Sequence, residues 1–308
     1  MESYENNLIE KIRLTNSIAV IGEAMVELSD NTDQLNFAGD SLNTAIYLKR
    51  ELHNKKNTVA FFSALGNDLN SEKMIKFIES EGLTTNFIER RVNSGPGKYK
   101  IVTDKKGERN FHYWRDESAA KTLFSKPCAV KFQNLLEFDL VYITGISVAI
   151  LPRKIQEDLL HFFSEFKQKG GLIAFDSNYR KTLWKSKKVA RIMIKKYWQI
   201  ADIALPSLDD EKDIFDLNTQ DDVVNNLKQL GVKFGALKRG SKGPYSLTDN
   251  TNSFKYTIVT NTKDTTAAGD SFNGAYLASL INGSSQDISL IKGHKLASRV
   301  IQNFGAII

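Results

Sequence analysis

The stretch DTTAAGDSFNGAYLASL, residues 264–280, joins a run of small residues directly to a helical pattern of apolar residues. The pattern predicts a helix that begins near Gly269 and ends at Gly283. The first N–H groups of a helix have no partner within the helix, and together with the helix dipole they favour an anion. Small residues let such an anion approach the backbone. The stretch therefore predicts an anion site at a helix start.

Asp270 lies at the same helix start, and two interpretations are open for it. An Asp at this position commonly caps the free N–H groups. The five small residues before it, 265–269, favour a ligand instead, because a cap needs only one polar side chain. Phosphoryl transfer uses both parts, since amides spread the charge of the transferred group and a carboxylate accepts the proton of the attacking hydroxyl.

Composition restricts the class of protein. The chain has 308 residues and 41% apolar content, enough for one large core or two modest ones. The net charge of +6 is scattered, so small anionic ligands are expected rather than nucleic acid. The single cysteine, Cys128, argues against a disulfide framework and suits the cytoplasm. Neither a membrane span nor a secretory leader is expected, and the polar residues 1–16 are interpreted as an N-terminal extension.

Apolar runs that alternate with helical patterns predict an α/β fold with a mostly parallel sheet. The predicted strands are 17–22, 59–65, 140–144, 172–176, 203–205 and 234–238. Residues 97–115 break this rhythm, because alternating aromatic residues surround a turn at 104–107 and predict a hairpin of a separate small sheet. Further β segments are predicted at 245–248 and 254–258, and a last helix at 287–304.

Other chemistries are disfavoured by the motifs. Neither a GxxxxGK[ST] loop nor a GxGxxG after a strand occurs, and the 4 histidines lack zinc-ligand spacing. Residues 39–42 spell GDSL, the signature of a serine hydrolase family. Such an enzyme needs Asp-x-x-His near its C-terminus to activate the serine, and here that spacing occurs only at Asp158 and His161, in mid-chain.

These motifs carry a resemblance to the ribokinase-like PfkB carbohydrate kinases. Residues 264–270 resemble the family's C-terminal signature, and residues 37–43 occupy the place of its N-terminal glycine motif. Four blocks are similar to the branch that phosphorylates 2-dehydro-3-deoxygluconate: IAVIGEAMVELS (18–29), GERNFHYWRDESAAK (107–121), FDSNYRKTLW (175–184) and DTTAAGDSF (264–272). The resemblance implies a three-layer α/β/α core over residues 17–308, with lid strands within about 24–38 and 87–115.

The resemblance also implies a role for each matched residue. Asp270 would be the catalytic base, beside an anion hole formed by Ala267, Ala268 and Gly269. The acceptor would be bound by Gly39, Asp40, Asn43, Tyr99, Tyr113, Arg115 and Arg180. The ATP site would be lined by Asn178, Lys238, Arg239, Gly240, Ser241 and Gly243, with Ala267 and Gly269. Mg²⁺ would arrive with ATP, and Asp210 or Glu211 would contribute through water.

The implied activity is transfer of phosphate from ATP to the 6-hydroxyl of 2-dehydro-3-deoxygluconate. Arg115 and Arg180 suit an acid, because guanidinium groups form charge-assisted hydrogen bonds to carboxylates. The alternatives are another sugar kinase of the family, acting on fructose, ribose or a nucleoside, and a non-catalytic sugar-acid sensor. A cytoplasmic homo-oligomer, paired through the lid, is expected.

Two departures from the family pattern bear on the fit. Ala38-Gly39 stands where family members often have Gly-Gly, and the extra methyl lies close to the sugar. The acidic Asn-x-x-Glu motif of ribokinases is replaced by residues 207–210, SLDD, which affects the expected metal role.

Overall fold

The structure is a computed structural model, and it describes residues 2–28, 35–54, 56–103, 109–248 and 254–308. The predicted turn at 104–107 lies outside the described residues. The strands are β1 (Ser17–Ile21), β2 (Met25–Leu28), β3 (Asn36–Ala38), β4 (Thr58–Gly66), β5 (Ile88–Arg91), β6 (Gly97–Thr103), β7 (Arg109–Trp114), β8 (Leu140–Thr144), β9 (Leu172–Asp176), β10 (Ile203–Ala204), β11 (Ala236–Leu237) and β12 (Tyr245–Ser246). The helices are α1 (Glu2–Arg13), α2 (Asp40–Glu51), α3 (Leu69–Ser80), α4 (Gly145–Ile150), α5 (Arg153–Gln168), α6 (Lys187–Ile200), α7 (Leu208–Phe215), α8 (Gln220–Gln229), α9 (Ala268–Ile281) and α10 (Gln286–Val300).

The main sheet lies between helical layers. Within the described chain it has six strands in the order β10-β9-β8-β1-β4-β5, and all of its pairs are parallel. Every residue of β8 and β9 is buried, because helices cover both faces of the sheet. The carboxyl ends of the parallel strands share one edge, where ligands bind in open α/β sheets.

The small sheet has the order β3-β2-β6-β7. The predicted hairpin corresponds to the antiparallel pair β6 and β7, and β2 joins β6 in parallel. Strand β2 follows β1 after only a short link, so the chain passes directly from the main sheet to the small one. Strand β5 pairs with β4 at the edge of the main sheet, so of the described strands within 87–115 only β6 and β7 belong to the small sheet.

Two of the predicted β segments differ in the structure. The strand predicted at 234–238 shortens to β11, paired with β12, since Gly235 lies against Ala204 with a φ of 139°. Residues 254–258 form no strand. The N-terminal extension contains α1, whose Leu8 and Ile12 are buried in the core.

Helix α9 is the central helix of the core. Its residues from Ser271 to Ile281 are all buried, which explains why it is apolar on every side rather than along one stripe. It packs between α2 and α10. Gly274 permits close packing on α2, because a Cβ there would lie 2.8 Å from the backbone nitrogen of Leu48 and 2.9 Å from the carbonyl oxygen of Thr44. None of the helices in the described chain has the length and apolarity of a membrane span.

Gly274→Ala is expected to lower the free energy of unfolding by about 1–3 kcal/mol, as overpacking of a core does. The control is Gly269→Ala in the same helix, where the nearest atom to the new Cβ is Lys238 Nζ at 3.7 Å. This control is expected to leave stability unchanged or slightly raised. Denaturant unfolding of both variants measures the difference, and equal destabilisation by the two would contradict the packing argument.

Candidate active site

A cavity of about 740 Å³ lies between the small sheet, the carboxyl ends of the main strands and the start of α9. It brings together all of the residues predicted to bind the acceptor, namely Gly39, Asp40, Asn43, Tyr99, Tyr113, Arg115 and Arg180. Residues 265–269 and Asp270 line the same cavity. The cavity therefore brings together residues that are far apart in the sequence, such as Asn43 and Asp270, which are separated by 227 positions.

Asp270 is half-buried in the first turn of α9. The side-chain amide of Asn43 donates to its Oδ2 at 2.9 Å. Burial, and secondly the nearby charge of Asp40, raise the pKa of Asp270 to about 7. A carboxylate with a pKa near neutrality is a stronger proton acceptor than an ordinary aspartate, which suits a general base.

The start of α9 is open to an anion. The N–H groups of Gly269 and Asp270 have no hydrogen-bond partner among the described residues. Ala267 before them has a φ of 60°, in the left-handed region, which side chains larger than glycine adopt at a cost. Asp264 holds this loop, because its carboxylate accepts from the N–H of Thr266 at 3.0 Å and of Gly305 at 2.9 Å.

Asp40 lies across the cavity, at the start of α2. Its Oδ2 accepts from the hydroxyl of Thr144 at 2.6 Å and from the side-chain amide of Asn178 at 2.9 Å. Asn178 was expected at the nucleotide, and the structure places it in the acceptor cavity beside Asp40. Its backbone has a φ of 29°, so the turn after β9 directs it there.

A buried ion pair joins Lys238 to Asp176 at the end of β9. Asn273 of α9 completes this network, donating to Asp176 Oδ2 at 2.6 Å and accepting from Lys238 Nζ at 3.3 Å. Sequence reasoning missed Asp176 and Asn273. Their signals were a carboxylate at the end of a buried strand and an amide within an otherwise apolar helix.

A second cavity, of about 430 Å³, adjoins the first. Lys238, Arg239, Gly240, Ser241 and Gly243 line it, as predicted for the nucleotide. Apolar side chains form its other walls, namely Ile258, Val259, Phe272, Ala297 and Ile301. The two cavities share Ser207, Asp209, Lys238, Thr265, Ala268 and Gly269. They therefore meet at the start of α9, and Lys238 is the cation among the shared residues.

Arg239 supports the loop that it belongs to. Its Nε donates to the carbonyl of Gly243 at 2.9 Å, and its Nη1 donates to Gln220 Oε1 at 2.8 Å. The guanidinium also lies over the ring of Tyr245, 5.3 Å from its centroid. These contacts occupy much of its donor edge, so its main structural effect is to close the glycine loop.

The two arginines of the first cavity differ in exposure and in their partners. Arg115 forms a buried ion pair with Glu23. The side chain of Arg180 is 52% exposed, and it donates to the carbonyl of Tyr179 at 2.9 Å and lies 3.9 Å from Asp210. Tyr99 is buried and donates to Glu27, whereas Tyr113 is exposed.

The two acidic residues expected near the metal, Asp210 and Glu211, also differ in their surroundings. Asp210 lines the first cavity, and burial raises its pKa to about 6 against the opposing charge of Arg180. Glu211 is fully buried and accepts from the indole N–H of Trp198 at 3.2 Å, and burial raises its pKa to about 8. Glu211 therefore lies behind the cavity wall. No group of three or more metal-ligating side chains occurs in the described part of the chain.

Comparisons with known proteins identify the family of the chain. The chain is 39% identical over 302 residues to the 2-dehydro-3-deoxygluconokinase of Escherichia coli (strain K12), covering 96% of this chain and 98% of that protein. It is 38% identical over 301 residues to the 2-dehydro-3-deoxygluconokinase of Dickeya dadantii (strain 3937), covering 96% and 97%.

The fold is similar to that of aminoimidazole riboside kinase from Salmonella enterica complexed with aminoimidazole riboside and an ATP analog, with a TM-score of 0.78, 20% identity and 94% of each chain covered. The predicted α/β class with a separate small sheet is thereby confirmed. The model of the pfkB family of carbohydrate kinases matches residues 15–308. The chain therefore belongs to the pfkB family of carbohydrate kinases.

Proposed function

We propose that this kinase transfers the γ-phosphoryl group of ATP to the 6-hydroxyl of 2-dehydro-3-deoxygluconate, giving 2-dehydro-3-deoxy-6-phosphogluconate. The observation that carries the proposal is the meeting of two cavities at the start of α9, beside Asp270. Relatives with 38–39% identity over nearly the whole chain are 2-dehydro-3-deoxygluconokinases, which supports the acceptor.

Each cavity suits one substrate. The larger one has the polar lining and the arginines that a sugar acid requires. The smaller one combines an apolar wall for a base with the glycine loop after β11. A phosphoryl group that is transferred from one cavity to the other must pass the residues that line both cavities at the start of α9. The N–H groups and Lys238 lie at this place.

The residues of the site have separate roles in the transfer. Asp270 accepts the proton of the attacking hydroxyl, and Asn43 orients the carboxylate through its hydrogen bond. The N–H groups of Gly269 and Asp270 stabilise the charge of the transferred group. Lys238 adds a positive charge at the same place, held by Asp176 and Asn273.

Mg²⁺ fits this donor set as a companion of ATP rather than as a resident ion. The described residues offer no cluster of three ligands, and magnesium in phosphoryl-transfer sites keeps several waters and the substrate's phosphates as ligands. Asp210 faces the cavity and would reach the ion through water, whereas the buried Glu211 would not. When bound, the ion supplies charge neutralisation to the phosphates.

We further propose that two copies pair through their small sheets and that the reaction takes place in the cytoplasm, where ATP is available. On β7, Trp114 is 55% exposed, and it lies on the opposite face of the strand from Tyr113, which lines the larger cavity. A large aromatic residue that is exposed on the surface of a sheet is typical of an interface. A monomeric mass by light scattering at micromolar concentration would contradict the pairing.

An ATP-coupled assay over sugar acids and neutral sugars tests the acceptor. We expect turnover of 2-dehydro-3-deoxygluconate, with much lower kcat/KM for fructose and ribose. Phosphorylation of fructose or ribose without turnover of the sugar acid would contradict the proposed acceptor while leaving the kinase assignment intact.

Asp270→Asn is expected to lower kcat by about 10²- to 10⁴-fold, the usual contribution of a general base, with a smaller change in KM. The amide keeps the shape of the side chain and its hydrogen bond from Asn43, so folding is not disturbed. Asp221→Asn, on the exposed side of α8, is the matched control. A variant that retains most of the wild-type kcat would show that Asp270 acts only as a cap.

The raised pKa of Asp270 predicts a pH dependence of stability, and the same variant tests it. The pKa of Asp270 is raised to about 7 in the folded state, above its unfolded value of about 4. The folded state therefore binds the proton more tightly, and this group makes stability fall as pH rises from about 4 to about 7. The melting temperatures of ligand-free wild type and ligand-free Asp270→Asn should diverge over that pH window. The variant should become more stable relative to wild type as the pH rises. Parallel curves across the window would contradict the raised pKa.

Arg180→Ala is expected to raise KM for the sugar acid about 10- to 100-fold, since hydrogen bonds to charged groups contribute about 1.5–3 kcal/mol. The side chain is half exposed, so its removal should not affect folding. Lys181→Ala removes the same charge from the next, exposed position and serves as control. An equal loss of kcat/KM for a neutral sugar would show that Arg180 does not bind the carboxylate.

A further inference from the structure

The ion pair of Glu23 and Arg115 lies where the chain passes from the main sheet to the small sheet. Glu23 lies between β1 and β2, and Arg115 follows β7. The two side chains are only 1% and 10% exposed, and both residues line the larger cavity. The pair therefore connects the two sheets within the wall of the acceptor site.

Glu23 is fixed through both of its carboxylate oxygens. Oε2 accepts from Arg115 Nη2, and Oε1 accepts from the hydroxyl of the buried Ser118. Gly97 leaves room for this arrangement, because a Cβ there would lie 2.6 Å from Glu23 Oε1 and 3.2 Å from the Cβ of Arg115. Each oxygen of Glu23 thus has a donor within the protein, which suits a support for Arg115.

Arg115 retains a donor that the protein does not use. Its Nε is buried and has no hydrogen-bond partner among the described residues. Buried donors of this kind are rare in folded proteins, because an unmade hydrogen bond is unfavourable. Guanidinium groups bind carboxylates through two N–H groups at once, with a fixed planar geometry. Because Arg115 also lines the larger cavity, the N–H groups that Glu23 leaves free suit a carboxylate acceptor there.

We infer that Glu23, supported by Ser118, is the positioning residue that holds the guanidinium of Arg115 in the wall of the larger cavity, where its remaining N–H groups bind the acceptor's carboxylate, and that this makes the site selective for sugar acids. The inference rests on the proposed function. Burial raises the pKa of Glu23, and the charge of Arg115 opposes the rise. In the pair the two charges offset each other, so Arg115 discriminates by the direction of its donors more than by its net charge.

The test compares Glu23→Ala, Glu23→Gln and Ser118→Ala, with 2-dehydro-3-deoxygluconate and its neutral amide as acceptors. Glu23→Ala is expected to raise KM for the acid about tenfold or more, a loss of about 1.4 kcal/mol per factor of ten. The change in kcat is expected to be smaller, because the carboxylate takes no part in the transfer. The ratio of kcat/KM for acid over amide should fall by a similar factor.

Glu23→Gln is expected to recover most of that ratio. Its Oε1 can accept from Arg115 Nη2, and its Nε2 can donate to Ser118 Oγ after the hydroxyl rotates. Ser118→Ala keeps the ion pair and removes one support, so a smaller loss of the ratio, of about two- to fivefold, is expected. This variant gives the answer if Glu23→Ala does not fold.

Three results would overturn the inference. The first is an unchanged acid-to-amide ratio in a folded Glu23→Ala, and the second is an unchanged ratio in Ser118→Ala. The third is an equal loss for acid and amide in both Glu23 variants, which would mean that the pair only stabilises the fold. Failure of the wild type to phosphorylate the acid would instead overturn the proposed function, so the two failures are distinguishable.

Discussion

The half-buried start of helix α9 is the constraint on which the rest of the site depends. Its N–H groups open into the cavities, and its body is enclosed by α2 and α10. A helix end in such a place needs an anion or a polar partner. Asp264 holds only the preceding loop, and the N–H groups of Gly269 and Asp270 have no partner among the described residues. An anion bound there would complete the hydrogen bonding of this helix start.

Three carboxylates lie around this helix start, and each has different partners. Asp176 has Lys238 and Asn273 as partners, and Asp40 has only neutral donors. Asp270 has a single amide donor and a negative neighbour, so its pKa rises while it lines the cavity. Different partners thus give three similar side chains different properties, and the least compensated one lies where a base is required.

Local sequence signals were enough for helix α9 and for β1, β4, β8, β9 and β10 of the main sheet, whereas the residues expected at the acceptor came from the family resemblance. Buried strands and the change from small residues to helical spacing are properties of neighbouring residues. The direction in which a side chain points could not be predicted from neighbouring residues in the same way. Asp210 faces the cavity and Glu211 the core, although they are adjacent in sequence. The pairing of Glu23 with Arg115 spans 92 residues, and only the packing of the two sheets brings them together.

Under the proposed function, the two ends of the acceptor site recognise negative charge by different means. At one end a planar guanidinium, held by a buried partner, meets a charge that is the same before and during the reaction. Such an interaction stabilises the ground state and the transition state equally, so it lowers KM. At the other end N–H groups and Lys238 meet charge that moves during transfer, so they act mainly on kcat. The rigid pair in the wall and the open helix start therefore serve selectivity and rate separately.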